Sequence, residues 1–226
     1  MTTLVIATRN RHKAEEIQAI LGEEFRCLTL NEFPDAPPVV EDAPTFEGNA
    51  AKKALVLAEW LRGMRNVECG VRNDGSAFVL ADDSGLEVDA LGGAPGVHSA
   101  RFAADDSPAD AATNCSDSAN NAKLLRLLRD VPGAKRTARF CCVLALVRLT
   151  SHPSRLTPRF FSGACEGRIE FAPRGDGGFG YDPLFVPDGF AQSFAELGAA
   201  EKNRISHRSK ALASLTRWFA SMPPCD

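Results

Sequence analysis

Phe78-Val79-Leu80-Ala81-Asp82-Asp83-Ser84-Gly85-Leu86 joins an apolar run to two adjacent acids and a small-residue step. Residues 78–81 read as a buried strand, and the acids fall where that strand should meet a loop. A carboxylate near a core is costly unless something holds it. Two in a row therefore point to a bound cation or to proton chemistry. Capping of local amides at a strand end is the competing explanation. Hard oxygen donors of this kind suit Mg2+, an ion that pairs with phosphates. A glycine turn, Gly92-Gly93-Ala94-Pro95-Gly96, follows closely, and then Ser99-Ala100-Arg101.

Working outward, helix and strand signals alternate. Leu4-Val5-Ile6-Ala7 is a short apolar strand. Residues 12–21 predict a helix with Ala14, Ile17 and Leu21 on one face, stopped by Gly22. A loop over 31–44 carries four prolines. Residues 46–62 predict a second helix, with Ala50, Ala54, Leu57 and Leu61 as its buried stripe. Residues 67–81 suggest a hairpin turning at Asn73-Asp74-Gly75. Leu86, Val88 and Ala90 alternate with acids, as in a half-exposed strand. Ser107-Pro108 opens a helical region that ends near Val131-Pro132-Gly133, with an interruption expected over 114–118. Residues 140–149 form a continuous apolar run fit for a central strand, and another strand begins at Phe160. Residues 151–158 read as an exposed loop. Ser206 is placed to cap a last helix with Leu212, Leu215 and Phe219 on its core face.

Bulk properties narrow the function classes. The chain has 226 residues, enough for one large α/β domain or two small lobes. Its formal net charge of −3 gives no general attraction to nucleic acid or to an anionic membrane. The start lacks a signal-peptide pattern, and no apolar run reaches bilayer length. Seven cysteines without a Cys-x-x-Cys pair read as reduced thiols of a cytoplasmic protein, not a disulfide frame or zinc site.

Four further clusters carry candidate chemistry. Thr8-Arg9-Asn10-Arg11-His12-Lys13 lies at a strand-to-helix junction, where free N–H groups favour an anion. Read by itself, an Asn cap among solvated basic residues explains it as well. Asn49 and Lys53 share a helix face near the buried stripe, and Glu41 in the preceding loop is a candidate metal ligand. A solvated lysine and a loop charge are the plain alternative.

Gly177-Gly178-Phe179-Gly180-Tyr181-Asp182-Pro183 reads as a tight loop with an aromatic able to stack on a base, Phe179 or Tyr181. A structural turn with core aromatics is its alternative. Residues 175–180 also spell the dinucleotide fingerprint. Pro173 and Pro183 stand where its strand and helix would have to be, so that match is rejected. Finally, Lys202 and Ser206-His207-Arg208 place basic groups at a helix start, where Arg208 could donate two bonds to a planar acceptor edge.

The order of these pieces is more specific than any one of them. Thr8-x-Asn10-x-x-Lys13, Glu41, Thr45-Phe46-x-x-Asn49-Ala50-x-x-Lys53-Ala54, Asp82-Asp83-Ser84-Gly85-Leu86, Gly92-Gly93-x-Pro95-Gly96, Ser99-Ala100-Arg101, Gly178-Phe179-Gly180-Tyr181-Asp182-Pro183 and Ser206-His207-Arg208 follow one another. The set resembles the inosine triphosphate pyrophosphatase family, from Leu4 to about Phe219.

That resemblance implies an α/β fold: a mixed central sheet flanked by helices, in two lobes around a long nucleotide cleft. The whole chain, 1–226, would be one such domain. It implies hydrolysis of ITP, dITP and XTP to the monophosphate and pyrophosphate, with Mg2+ or possible substitution by Mn2+, usually in a homodimer. By motif match Thr8, Arg9, Asn10, Arg11, His12, Lys13 and Lys53 would bind the triphosphate. Glu41 and Asp83 would hold the metal, Asp83 would also accept a proton, and Ser84 would touch the nucleotide. Phe179, Gly180, Tyr181, Asp182, Lys202, His207 and Arg208 would form the base pocket. A related pyrophosphatase for pyrimidine or modified nucleotides, and a nucleotide-binding protein without catalysis, are the alternatives.

The chain departs from the family pattern in places. Arg9 stands where many members have Gly, Val40 precedes Glu41 where some carry a second acid, and Gly48 replaces a frequent acid. A donor such as Arg208 suits the O6 acceptor of hypoxanthine or xanthine and leaves adenine unmatched.

Overall fold

The computed structural model describes residues 1–64, 71, 74–104, 114–150 and 156–222. The expected turn at Asn73 and the strand before it, the Ser107-Pro108 cap, most of the 151–158 loop, Cys69 and Cys225 lie outside the described residues. Among the described residues six strands form one sheet in the order β2-β1-β3-β4-β5-β6. They are β1 (Thr2–Ile6), β2 (Phe25–Thr29), β3 (Asp74–Val88), β4 (Thr137–Thr150), β5 (Arg159–Ile169) and β6 (Phe185–Pro187). The helices are α1 (Arg11–Leu21), α2 (Phe46–Gly63), α3 (Asp117–Leu127), α4 (Phe194–Ile205) and α5 (His207–Ala220). β1 runs parallel to both β2 and β3, whereas β5 and β6 are antiparallel, so the sheet is mixed. No helix among the described residues is long and apolar enough to cross a membrane. The five described cysteines are free thiols.

The chain divides into two compact units, one of Met1–Asp83, Val143–Ser162 and Ser209–Asp226, the other of Ser84–Cys142 and Gly163–Arg208. In the first, Leu4, Val5 and Ile6 are fully buried, as expected of a strand covered on both faces. Asn10 caps α1 by accepting from the Lys13 N–H, and Gly22 ends it at φ 63°. Thr45 caps α2 by accepting from the Gly48 N–H. The predicted stripe of α2 packs on Val5, Ala7, Ala77, Val79 and Ala81. The period of two sends Phe78 the other way, where its ring meets Phe219 of α5 at 5.1 Å.

The second unit is built on Leu86, Val88, Leu124, Leu128, Phe140, Tyr181, Phe185 and Phe194. Gly167 lets β5 and β6 approach: a Cβ there would stand 2.3 Å from the Val186 carbonyl oxygen. Arg136 is buried and donates to the carbonyls of Val131, Glu170 and Leu128. It thereby ties the turn after α3 to the end of β5.

Two expectations are corrected. β3 does not stop at Ala81; it runs on through Asp82, Asp83 and Ser84 to Val88. Asp is a poor strand former, but here both acids are buried against lysines, and tertiary pairing overrides propensity. Ala90 falls in a 3-10 turn after the strand, so the alternation ends at Val88. Three elements were not anticipated: β2, β6 and α4, although Ser193 and Glu196 form a capping box at the start of α4.

Candidate functional site

In the first unit, two lysines are distributed over three acids. Lys13 Nζ lies 2.6 Å from Asp82 Oδ1. Lys53 Nζ lies 2.7 Å from Glu41 Oε2, 2.8 Å from the Asp82 carbonyl oxygen and 3.3 Å from Asp83 Oδ1. The positions follow from the elements. Lys13 sits in the first turn of α1, Lys53 in the middle of α2 among its buried residues, and both acids of the pair in β3. Glu41 is brought in by the loop before α2. Asn49 Oδ1 accepts from the Ala43 N–H at 2.9 Å and ties that loop to the helix. Gly48 explains itself here: a Cβ would come within 2.7 Å of Ala43 Cβ, so the loop rests directly on the helix backbone.

The acids differ electrostatically. Burial pushes the Asp83 carboxyl up to about 6, against the opposing pull of Lys53 and Lys13. Burial also works against ionisation of Glu41, but Lys53 and Lys13 outweigh it and hold Glu41 below its ordinary value. Lys53 is held above its ordinary value: burial opposes its charge, and Asp83, Glu41 and Asp82 together prevail. Among the described residues, Asp83 Oδ2 and Asn49 Nδ2 are both buried without a hydrogen-bond partner.

The other residues of the first cluster spread out. Thr8 Oγ1 accepts from the Asn10 N–H, and Arg9 donates to the Ala36 carbonyl. Arg11 is exposed and pairs with Glu15, and His12 also turns toward Glu15. Arg11 and His12 thus share Glu15 as a neighbour.

In the second unit, Arg208 is buried and its Nη2 donates to Ser84 Oγ at 2.9 Å. Lys202 and Asp182 form a buried ion pair at 2.5 Å. Lys202 Nζ also stands 4.5 Å from the Phe179 ring centroid. Asp182 Oδ2 accepts from the Phe179 N–H at 2.8 Å. Gly178, at φ 73°, lies so close that a Cβ would stand 2.2 Å from that oxygen. His207 stacks on Phe140 with ring centroids 4.8 Å apart. Tyr181 differs from the stacking expectation. It is 4% exposed, its hydroxyl donates to the Ser99 carbonyl, and burial raises its pKa. That makes it a core ring and leaves Phe179, half-buried, as the aromatic of the loop.

Sequence reasoning missed Asp117 and Asn121, which bind both backbone groups of Gly180. The Ser116 cap that precedes them was a usable signal for the helix start. No helix follows residues 175–180, in line with the rejected dinucleotide fingerprint.

Among the described residues no group of three or more His, Cys, Asp or Glu is arranged to hold a metal. Glu41 and Asp83 supply two carboxylates, with one buried oxygen unpartnered. That donor set fits Mg2+, which commonly takes one or two carboxylates and completes its shell with water and substrate phosphates.

The Ham1 family profile matches residues 4–218. The chain is 49% identical over 216 residues to a dITP/XTP pyrophosphatase of Geobacter sulfurreducens, covering 95% of each. It is 43% identical to the dITP/XTP pyrophosphatase of Shouchella clausii, over 99% of this chain and all of that one. A HAM1 protein structure from Coxiella burnetii matches with a TM-score of 0.75 at 34% identity, over 98% of this chain and all of that one.

Proposed function

The chain belongs to the Ham1 family, and on that premise we propose that it hydrolyses dITP, ITP and XTP to the nucleoside monophosphate and pyrophosphate. The observation that carries this reading is the Lys53 ammonium set between Glu41 and Asp83, with the Lys13–Asp82 pair beside it. Two cations among three acids can accept a triphosphate and still retain a carboxylate for proton transfer.

In the proposed reaction a water oxygen bonds to the α-phosphorus and the bond from that phosphorus to the bridging oxygen breaks. The electron pair leaves with pyrophosphate. Asp83 takes the proton from the water. Lys13 and Lys53 offset the charge that builds on the leaving group. Glu41 and Asp83 would hold Mg2+, which when bound neutralises phosphate charge and acidifies coordinated water. Thr8, Arg9 and Asn10 lie by the same turn and belong to the phosphate side.

The base side is assigned to the second unit. Phe179 offers a stacking face, Arg208 a donor for O6, and Ser84, Gly180, Asp182, Lys202 and His207 support them. A homodimer and a cytoplasmic location complete the reading on the strength of the family resemblance.

The test is a Mg2+-dependent hydrolysis panel of ITP, dITP, XTP, ATP, GTP and dTTP that resolves pyrophosphate from orthophosphate. Pyrophosphate released mainly from ITP, dITP and XTP is the expected result. Orthophosphate release, a pyrimidine preference, or no turnover overturns the reading.

A further inference from the structure

We propose that Asp117 and Asn121 of α3 are positioning residues that set the Phe179 ring by clamping Gly180. The proposal rests on the reading above that Phe179 meets the base. The Gly180 N–H donates to Asp117 Oδ2 at 2.6 Å, and the Gly180 carbonyl accepts from Asn121 Nδ2 at 3.0 Å. Positions 117 and 121 are one helical turn apart and share a face of α3, so one helix holds both polar groups of one residue.

Gly180 needs such a hold. It sits at φ 63°, and a Cβ built there would find nothing within 4 Å, so no neighbour crowds that side of the residue and its two polar groups carry the hold. On the other side of Phe179, Asp182 Oδ2 accepts the ring residue's own N–H. Phe179 is thus tethered before and after, by Asp182 and by the α3 clamp.

Among the described residues the Asn121 Oδ1 is buried without a hydrogen-bond partner, and the bond from its Nδ2 to the Gly180 carbonyl orients the amide. The platform is anchored as well. Ser116 caps α3, and the Asn120 side chain accepts from Ala103 N–H and donates to the Ala100 carbonyl. A loop held by a packed helix loses less entropy when a ligand orders it.

Asp117 also lies in the first turn of α3, where any acid favours the helix dipole. The variants separate the two roles. Asp117→Asn keeps an acceptor for Gly180 but loses the charge; Asp117→Ala loses both.

The experiment measures kcat and KM for pyrophosphate release from dITP and XTP, the inhibition constant of inorganic tripolyphosphate, and amide hydrogen exchange at Gly180. For Asp117→Ala and Asn121→Ala we expect KM to rise about fivefold each, the worth of one net hydrogen bond. Their kcat should stay within about twofold and tripolyphosphate inhibition should not change. Asp117→Asn should keep the parental KM. Gly180 exchange should quicken about fivefold in both alanine variants.

An unchanged KM, an equal weakening toward tripolyphosphate, or unchanged Gly180 exchange overturns the proposal. Parental protein that is silent on dITP and XTP would instead overturn the functional reading, and the exchange comparison would still judge the clamp.

Discussion

Lys13 Nζ and Asp82 Oδ1 meet at 2.6 Å, and the aspartate side chain is fully buried in that pair. Asp82 is therefore committed: removing Lys13 would leave a buried charge without its partner, a costly state. Asp83, one residue on, shares Lys53 with Glu41 and retains an unpartnered oxygen. Two adjacent aspartates thus face different lysines, Asp82 in a close pair with Lys13 and Asp83 in a looser, shared one with Lys53.

Asp83→Asn should lower pyrophosphate release by about 10²–10⁴-fold, the usual worth of a general base. It should also change the pH dependence of stability. The Asp83 pKa is raised from 3.8 to about 6 in the fold, so the folded protein binds more protons across that interval. Its contribution is fully present below the lower value and is lost as pH rises through the upper one. In metal-free buffer the Tm of Asp83→Asn minus that of the parent should therefore grow between these limits. Thermal melts across that range check it; a flat difference refutes the assignment.

If Arg208 reads the base as proposed, Arg208→Ala should reduce the preference for dITP over dATP by about tenfold or more, through loss of the donor to O6. Inhibition by tripolyphosphate should remain at the parental value. Competition assays with mixed substrates measure the ratio directly, and an unchanged ratio removes Arg208 from base reading.

Gly178→Ala and Gly180→Ala form a matched pair. Both glycines have positive φ, but only Gly178 has a neighbour in the way, Asp182 Oδ2 at 2.2 Å. The backbone cost alone is about 1–2 kcal/mol. Urea unfolding should show about that loss for Gly180→Ala and a larger one for Gly178→Ala. The latter should also weaken dITP binding as Asp182 is displaced from Phe179 and Lys202.

Arg136→Leu strips hydrogen bonds from three carbonyls, those of Val131, Glu170 and Leu128. At about 1 kcal/mol each, the loss is about 3 kcal/mol. A urea titration followed by circular dichroism reads it, and a loss under about 1 kcal/mol would mean that water replaces the guanidinium.

Much of the fold was legible because the signals were local. Asn10 with Gly22, and Thr45 with the alanine–leucine stripe, delimit α1 and α2 to within a residue or two. The central strand at 140–149 announced itself by its length of apolar residues. What sequence could not show was pairing at a distance. The acids ended β3 on propensity grounds, and only Lys13 and Lys53, 69 and 30 residues away, make their burial acceptable. α4 carried a readable capping box in Ser193 and Glu196. The clamp on Gly180 joins residues 63 and 59 positions apart and has no local signature.

β3 also imposes a frame on variation. Its side chains alternate, Ala77, Val79 and Ala81 facing α2 and Phe78 facing α5. A single inserted residue between Ala77 and Asp82 would exchange the surroundings of the two acids while leaving the composition of the strand intact. Two inserted residues would restore the original sides. The acidic pair thus obeys two rules at once, of side and of position: even a two-residue insertion would carry the acids about 7 Å along the strand, away from Lys13 and Lys53.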